Sequence, residues 1–334
     1  MTEHPFAQYV RILGKGPNLS RAMTAEETEA AVSMIIKGEV EPVQLGAFLT
    51  LMRVKTETPE EVTGFVRAAK ASMSVPDNAP AVDLDWASYA GKSRQLPWYL
   101  FSALLLAQNG TKVFMHGADG HTPDRIYARQ VFEALGVPVA TSMDEAVAQI
   151  NAGNFAFMPL EFLSPRLHEI MELKPLLGVR SPVHTIARKL NPFDAPAQIL
   201  SVAHPAYRDV HQEAALLLGQ PHMCVFKGDG GEAERRPSKP CRVYSVHDGA
   251  LSDEMWPPLA DSPASLQDET MDVARMMPVW TGAQEDDYAA QTVIGSAAIA
   301  LRLMGKAGSV GDADAKAKAM WDARDKTTLL KSAS

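Results

Sequence analysis

Cysteine is scarce in this chain. Its 334 residues include only Cys224 and Cys241, too few for a disulfide framework, so a reducing compartment, the cytoplasm by default, is expected. Long apolar runs are missing too. None approaches the ~18 residues of a membrane-spanning helix, and a membrane partner is not expected. The opening Met1-Thr-Glu-His-Pro-Phe6 has neither the basic nor the apolar stretch of a secretory leader, so none is expected. Low-complexity tracts and internal repeats are absent as well. The chain also lacks a basic excess, and its net charge of −8 argues at first against a polyanionic partner. What remains is ordinary globular composition, 46% hydrophobic and 22% charged, in a chain long enough for two cores.

The negative charge is concentrated. Residues 248–290 hold ten acids against Arg275, a net of −9, so the rest of the chain sums to +1. Locally, 86–129 is +3 and 222–247 is +2. A basic groove is compatible with the acidic total.

Residues 1–75 read as a helical domain. Thr24…Glu27 and Thr58…Glu61 are capping boxes, with Pro59 at the first helical position. Ser74–Pro80 reads as a linker. From 81 to 334 candidate strands at 82–84, 112–115, 137–140, 155–158, 199–202, 223–226 and 243–246 alternate with helices at 96–109, 125–135, 143–150 and 206–218, followed by helices at 285–304 and 312–331. That order predicts an α/β domain, a mostly parallel sheet flanked by helices. Helices from about 165–190 are expected to pack on the N-terminal domain. The Pro- and acid-rich 248–284 stretch gives no clear pattern.

A small helical domain before an α/β domain, carrying Leu45-Gly46…Met52-Arg53, Met115-His116-Gly117, Glu133…Val137, Phe157-Met-Pro159, Leu177-Gly-Val-Arg180, Leu190-Asn-Pro192 and His204-Pro205 in that order, resembles the anthranilate phosphoribosyltransferase family (the glycosyltransferase family 3, or nucleoside phosphorylase/phosphoribosyltransferase, fold). The resemblance implies a glycine-rich phosphate loop, a Lys-His-Gly-Asn-Arg stretch and an Asp-Glu pair for Mg²⁺. This chain departs from each. The loop reads Ala87-Ser-Tyr89-Ala-Gly91, Pro97-Trp98-Tyr99 replaces the following phosphate donors, Met115 replaces the Lys, and Ala118-Asp119 the Asn-Arg. The metal pair falls at Glu232-Ala233. Tyr89, Gly91, His116, Gly117, Asp119 and Glu232 thus mark a degenerate phosphoribosyl pyrophosphate site. The reaction relies on orientation and charge stabilisation, so these losses remove its machinery. The combination resembles the non-enzymatic, YbiB-type branch of the family, which implies a homodimer, paired through the N-terminal helices, that binds nucleic acid without sequence preference.

The vacated loops gained cations. Both follow strand C-terminal ends, which edge one crevice in α/β sheets. Lys92, Arg94, Lys227, Arg235, Arg236 and Lys239 are therefore expected to contact phosphates in a salt-sensitive way. Trp98 and Tyr99 are candidates for base stacking, but their otherwise apolar helix favours a core role. Arg125 and Arg129, one helical turn apart, face phosphate or an acidic neighbour. Arg180 lies where the family holds the aromatic acid's carboxylate, and binds backbone phosphate or pairs across the domain junction. His116 and His121 have no further ligands at metal spacing. No catalytic residue, metal or cofactor is expected. The rival readings are a phosphoribosyltransferase that holds Mg²⁺ through Asp229, Glu232 and Glu234, and a scaffold whose acidic 248–290 segment meets a basic protein.

Overall fold

The computed structural model describes residues 2–120, 122–259 and 270–330. Four helices come first: α1 (Ala7–Gly14), α2 (Ala25–Ile36), α3 (Pro42–Lys55) and α4 (Pro59–Ala71). Both capping boxes form, Thr24 accepting from the Glu27 amide and Thr58 from that of Glu61. Helices α2 and α4 touch backbone to backbone at Gly64, where a β-carbon would sit 2.0 Å from the Ala25 carbonyl oxygen. Only glycine permits that approach.

Seven strands follow: β1 (Leu84–Ser88), β2 (Val113–Gly117), β3 (Phe155–Pro159), β4 (Ala197–Ser201), β5 (His222–Phe226), β6 (Cys241–His247) and β7 (Ala250–Trp256). They form one sheet in the order β3-β2-β1-β4-β5-β6-β7, parallel through β5 and antiparallel beyond. The parallel strands are buried on both faces, as helix-covered parallel sheets must be. Alternation sends Trp86, Met115, Phe157 and Ile199 to the core under helices Tyr99–Gln108 and Asp287–Leu303. Phe114, Ala156, Met158 and Leu200 face the opposite core, which runs on into Phe48 and Phe65 of the N-terminal helices. Short helices at Pro165–Glu172 and Val183–Ile186 share that second core, and Arg166 Nε donates to the Ile35 carbonyl at 3.2 Å.

Three strand readings change. The first strand begins at Leu84 rather than 82 and runs to Ser88; its buried Asp85, which accepts from Gln198 at 3.0 Å, disguised it as polar chain. Residues 137–140 supply only a bridge from Val139 to Phe157, because Pro138 has no N–H for a ladder. Strand β7 lies in the acid-rich stretch that showed no pattern. It is an edge strand whose exposed Ser252 and Asp253 are tolerated because one side faces water.

Candidate functional site

The loops after β1 and β5 meet over the C-terminal edge of the sheet. Gly91 turns with φ +66°, and a side chain there would strike the Tyr127 ring at 2.9 Å. Arg125 fixes the junction by donating to the carbonyls of Ala90 (2.8 Å), Gly91 and Gly230 (both 3.1 Å). Its Nη1 thereby clamps the two loops together.

Two groups fill the crevice from within. The Glu232 carboxylate accepts from the Ala90 and Gly91 amides, both at 2.6 Å, so an anion supplied by the chain sits on the backbone donors of the former phosphate loop. The Lys92 ammonium donates to both Asp229 and Glu234, whose side chains, like its own, are at most 4% exposed. Arg236 takes the second Asp229 oxygen, and the Tyr99 amide donates to Glu234 at 3.1 Å. Burial opposes the Lys92 charge, yet Glu234 and Asp229 together outweigh it and hold its pKa above the ordinary value. Burial, reinforced by Asp229, pushes Glu234 up to about 7. A divalent cation asks for free clustered carboxylates. Here an ammonium already holds two of them and backbone amides the third, so the residues present do not fit Mg²⁺. Among the described residues no group of three or more His, Cys, Asp and Glu is placed to hold a metal.

The remaining degenerate positions are packed. Tyr89 is buried, its hydroxyl 2.7 Å from His116 Nδ1, and His116 Nε2 lies 3.4 Å from Asp85. Gly117 lies against the Ser88 carbonyl, with no room for a β-carbon. Asp119 is largely shielded, and burial, opposed by Arg129, raises its carboxyl to about 6. His121 lies outside the described residues.

Several expected nucleic-acid contacts need correction. Lys92 is 1% exposed, held by the acids it faces. Arg235 is fully buried, paired with Asp314 at 2.7 Å, donating to the Pro257 carbonyl at 2.6 Å and lying over the Trp256 ring. Trp98 and Tyr99 are core, and the Tyr99 hydroxyl is 2.7 Å from Ser88 Oγ; neither can stack a base. Arg129 is held by Glu133 at 2.9 Å and Glu161 at 2.5 Å. For Lys92 and Arg235 sequence showed the cation but not the counter-charge that folding brings to it, whereas for Arg129 an acidic neighbour was one of the two readings. The acidic stretch is likewise partly spent at home: Asp253 pairs with Arg242 at 3.1 Å and Glu254 with Arg302 at 3.4 Å, while Asp261, Asp268 and Glu269 lie outside the described residues.

Arg94, Lys227 and Lys239 are exposed. The two lysines, with Arg236, line a groove of about 510 Å³ beside the filled crevice. Arg208 and Arg242 complete it, and neither was expected. Arg242 could have been read from β-strand alternation, which turns it away from buried Cys241 and Val243. Arg208 lies over Tyr244 at 4.4 Å, a contact that no local pattern announces. The one carboxylate in the lining, Asp229, is already neutralised by Lys92 and Arg236.

Residues 7–73 match the glycosyl transferase family helical bundle domain and residues 99–323 the a/b domain of the same family. The chain belongs to this glycosyl transferase family. An anthranilate phosphoribosyltransferase of Oleidesulfovibrio alaskensis is 31% identical over 263 residues, 75% of this chain and 79% of that protein. Protein YbiB of Escherichia coli is 27% identical over 207 residues, 60% of this chain and 64% of its own length. The crystal structure of anthranilate phosphoribosyltransferase from Thermus thermophilus matches with a TM-score of 0.79 at 20% identity, covering 98% of this chain and 97% of that one. The family fold is therefore kept from end to end. Within it, this member's crevice carries a lysine and a glutamate as internal ions.

Proposed function

We propose that this chain is a non-catalytic member of the family that binds nucleic acid through its phosphate backbone, without reading sequence. One juxtaposition carries the reading. The crevice expected to seat a diphosphate and its metal is filled by Glu232 and Lys92, while the adjoining groove offers Lys227 and Lys239 without any ion pair to described residues. Unneutralised cations on an open groove attract a polyanion by releasing its counterions. Arg94 is exposed as well, and no aromatic side chain is among the described residues that line the groove. The reading therefore expects similar affinity for unrelated sequences and a steep loss with salt, measured by fluorescence anisotropy of single- and double-stranded oligonucleotides.

Phosphoribosyl transfer is the second reading, favoured by the names of the relatives. Calorimetry separates the two. Titration of phosphoribosyl pyrophosphate is expected to give no heat that depends on Mg²⁺, because the metal-bound diphosphate would have to displace Glu232 from the loop amides and Lys92 from its two acids. Metal-dependent uptake at micromolar concentration would reverse the ranking.

The N-terminal helices are proposed as a homodimer interface. Val43 and Val54 on α3 are 79% and 78% exposed, and an apolar groove of about 520 Å³ between α1 and α3 takes in Val10, Ala47 and Leu51. Exposed apolar area of this kind marks an interaction surface. Light scattering is expected to give twice the chain mass, and Val43→Lys with Val54→Lys to give the single chain. Among the described residues no helix is long and apolar enough to cross a membrane; a cytoplasmic site of action is part of this proposal.

A further inference from the structure

A second cavity, of about 300 Å³, opens where the N-terminal helices meet the sheet domain. Arg53 of α3, Arg180, Arg188, His204, Tyr207 and His211 line it, and no lining residue is acidic. Arg53 donates to the Tyr207 hydroxyl at 2.7 Å, bridging the two domains. Arg180 donates to Thr122 Oγ1 at 2.9 Å. Arg188 is directed at carbonyl oxygens only, those of Ser201, Gly231 and His184, and its Nε has no hydrogen-bond partner. Among the described residues none of the three guanidiniums has a carboxylate partner. Two acids act on these groups from outside the lining: Glu57 on Tyr207 and Arg53, its own pKa pushed up by burial, and Glu232 on Arg188.

The base of the cavity adds an independent observation. His211 is completely buried, and neither of its ring nitrogens has a partner. A buried polar group left unsatisfied costs about 1–3 kcal/mol. Burial, helped by Lys189 and Arg188, pulls its pKa well down, so the ring is neutral, with one N–H to donate and one nitrogen to accept.

We propose that this junction cavity binds a phosphate monoester as its dianion. Three guanidiniums, none ion-paired to a described carboxylate, call for more than one negative charge, and their forked N–H groups match the terminal oxygens of a phosphate. The buried imidazole donates to one of those oxygens. A monocarboxylate would leave two of the cations uncompensated, which separates this ligand from the aromatic acid that the resemblance places near Arg180. The monoester could be a nucleic-acid strand end or a free mononucleotide. The cavity and the lysine groove lie on either side of the turn before the helix Tyr207–Leu217, Tyr207 facing one and Arg208 the other. The site goes beyond the nucleic-acid reading, and either can fail without the other.

The test titrates inorganic phosphate calorimetrically into the full chain. Saturable binding is expected, weakening at least tenfold in Arg53→Met with Arg180→Met and staying within twofold in Lys227→Glu with Lys239→Glu. Both altered arginines are at least partly exposed, so the fold is expected to survive, checked by circular dichroism. Arg53→Lys with Arg180→Lys keeps the charge without the fork and is expected to fall between. Comparing a 5′-phosphorylated with a 5′-hydroxyl oligonucleotide, and each with a mononucleotide 5′-phosphate, identifies the source. A gain confined to the phosphorylated strand assigns a chain end, and equal uptake of the mononucleotide assigns a free monoester. Absence of saturable phosphate binding, binding undiminished in the methionine variant, or tighter binding of anthranilate than of phosphate would overturn the proposal.

Discussion

Reversing Lys227 and Lys239 together to glutamate is expected to lower oligonucleotide affinity by on the order of 100-fold at low salt, and to reduce the slope of log K against log salt by about 2. The two lysines are exposed in the groove and bound to no carboxylate among the described residues, so their charges are available to phosphates. The loss should be the same for every sequence tried, because phosphate contacts position a strand without reading it. Replacing Arg129 by methionine serves as the control, since that guanidinium is already committed to Glu133 and Glu161. Anisotropy at several salt concentrations measures all of these. If the lysine reversal left affinity and slope unaltered, the groove would not be the binding surface.

Lys92→Met is expected to destabilise the fold by about 3–5 kcal/mol, the usual cost of removing one partner from a buried ion pair. The ammonium it deletes is enclosed with Asp229 and Glu234, and methionine fills much of its volume without its charge. Most of the loss should return in the triple variant Lys92→Met, Asp229→Asn, Glu234→Gln, which removes the stranded anions. The pH dependence has a definite sign. Glu234 already titrates at about 7 in the native chain, raised above the ordinary glutamate value, and without Lys92 its carboxyl rises further. A raised folded pKa makes a carboxyl destabilising once it ionises and harmless once protonated. The deficit should therefore be largest above pH 7 and shrink as the pH falls toward 5. Urea unfolding at several pH values tests this; a deficit of under 1 kcal/mol at pH 8 would mean that the ion cluster contributes little.

The layered fold was legible because its signals are local. Capping boxes at Thr24 and Thr58 and strand–helix alternation each lie within a few residues of chain, and the order of short motifs supplied the rest. The site was legible only by halves. The resemblance implied that Gly91-Lys92-Ser-Arg94 stands where a phosphate loop would and that Glu232 remains of the metal pair, with Asp229 and Glu234 as substitutes, and both loops were assigned to one crevice. Their charges nevertheless cancel one another, which follows only from side-chain reach across residues 137 and 142 positions apart. Arg235 shows the same gap from the other side. A cation in a loop looks exposed until Asp314 and Trp256 close over it. Lys227 and Lys239 are exposed, and no acid among the described residues pairs with them.

The separation along the chain between Lys92 and its two acids also bears on the order of events during folding. A contact that encloses so long a loop gains nothing until most of the sheet between its ends is assembled. Interactions absent from the transition state act on the escape rate rather than the arrival rate. The ion cluster is thus placed to act as a latch on the finished molecule, prolonging the lifetime of the native state without guiding the chain toward it.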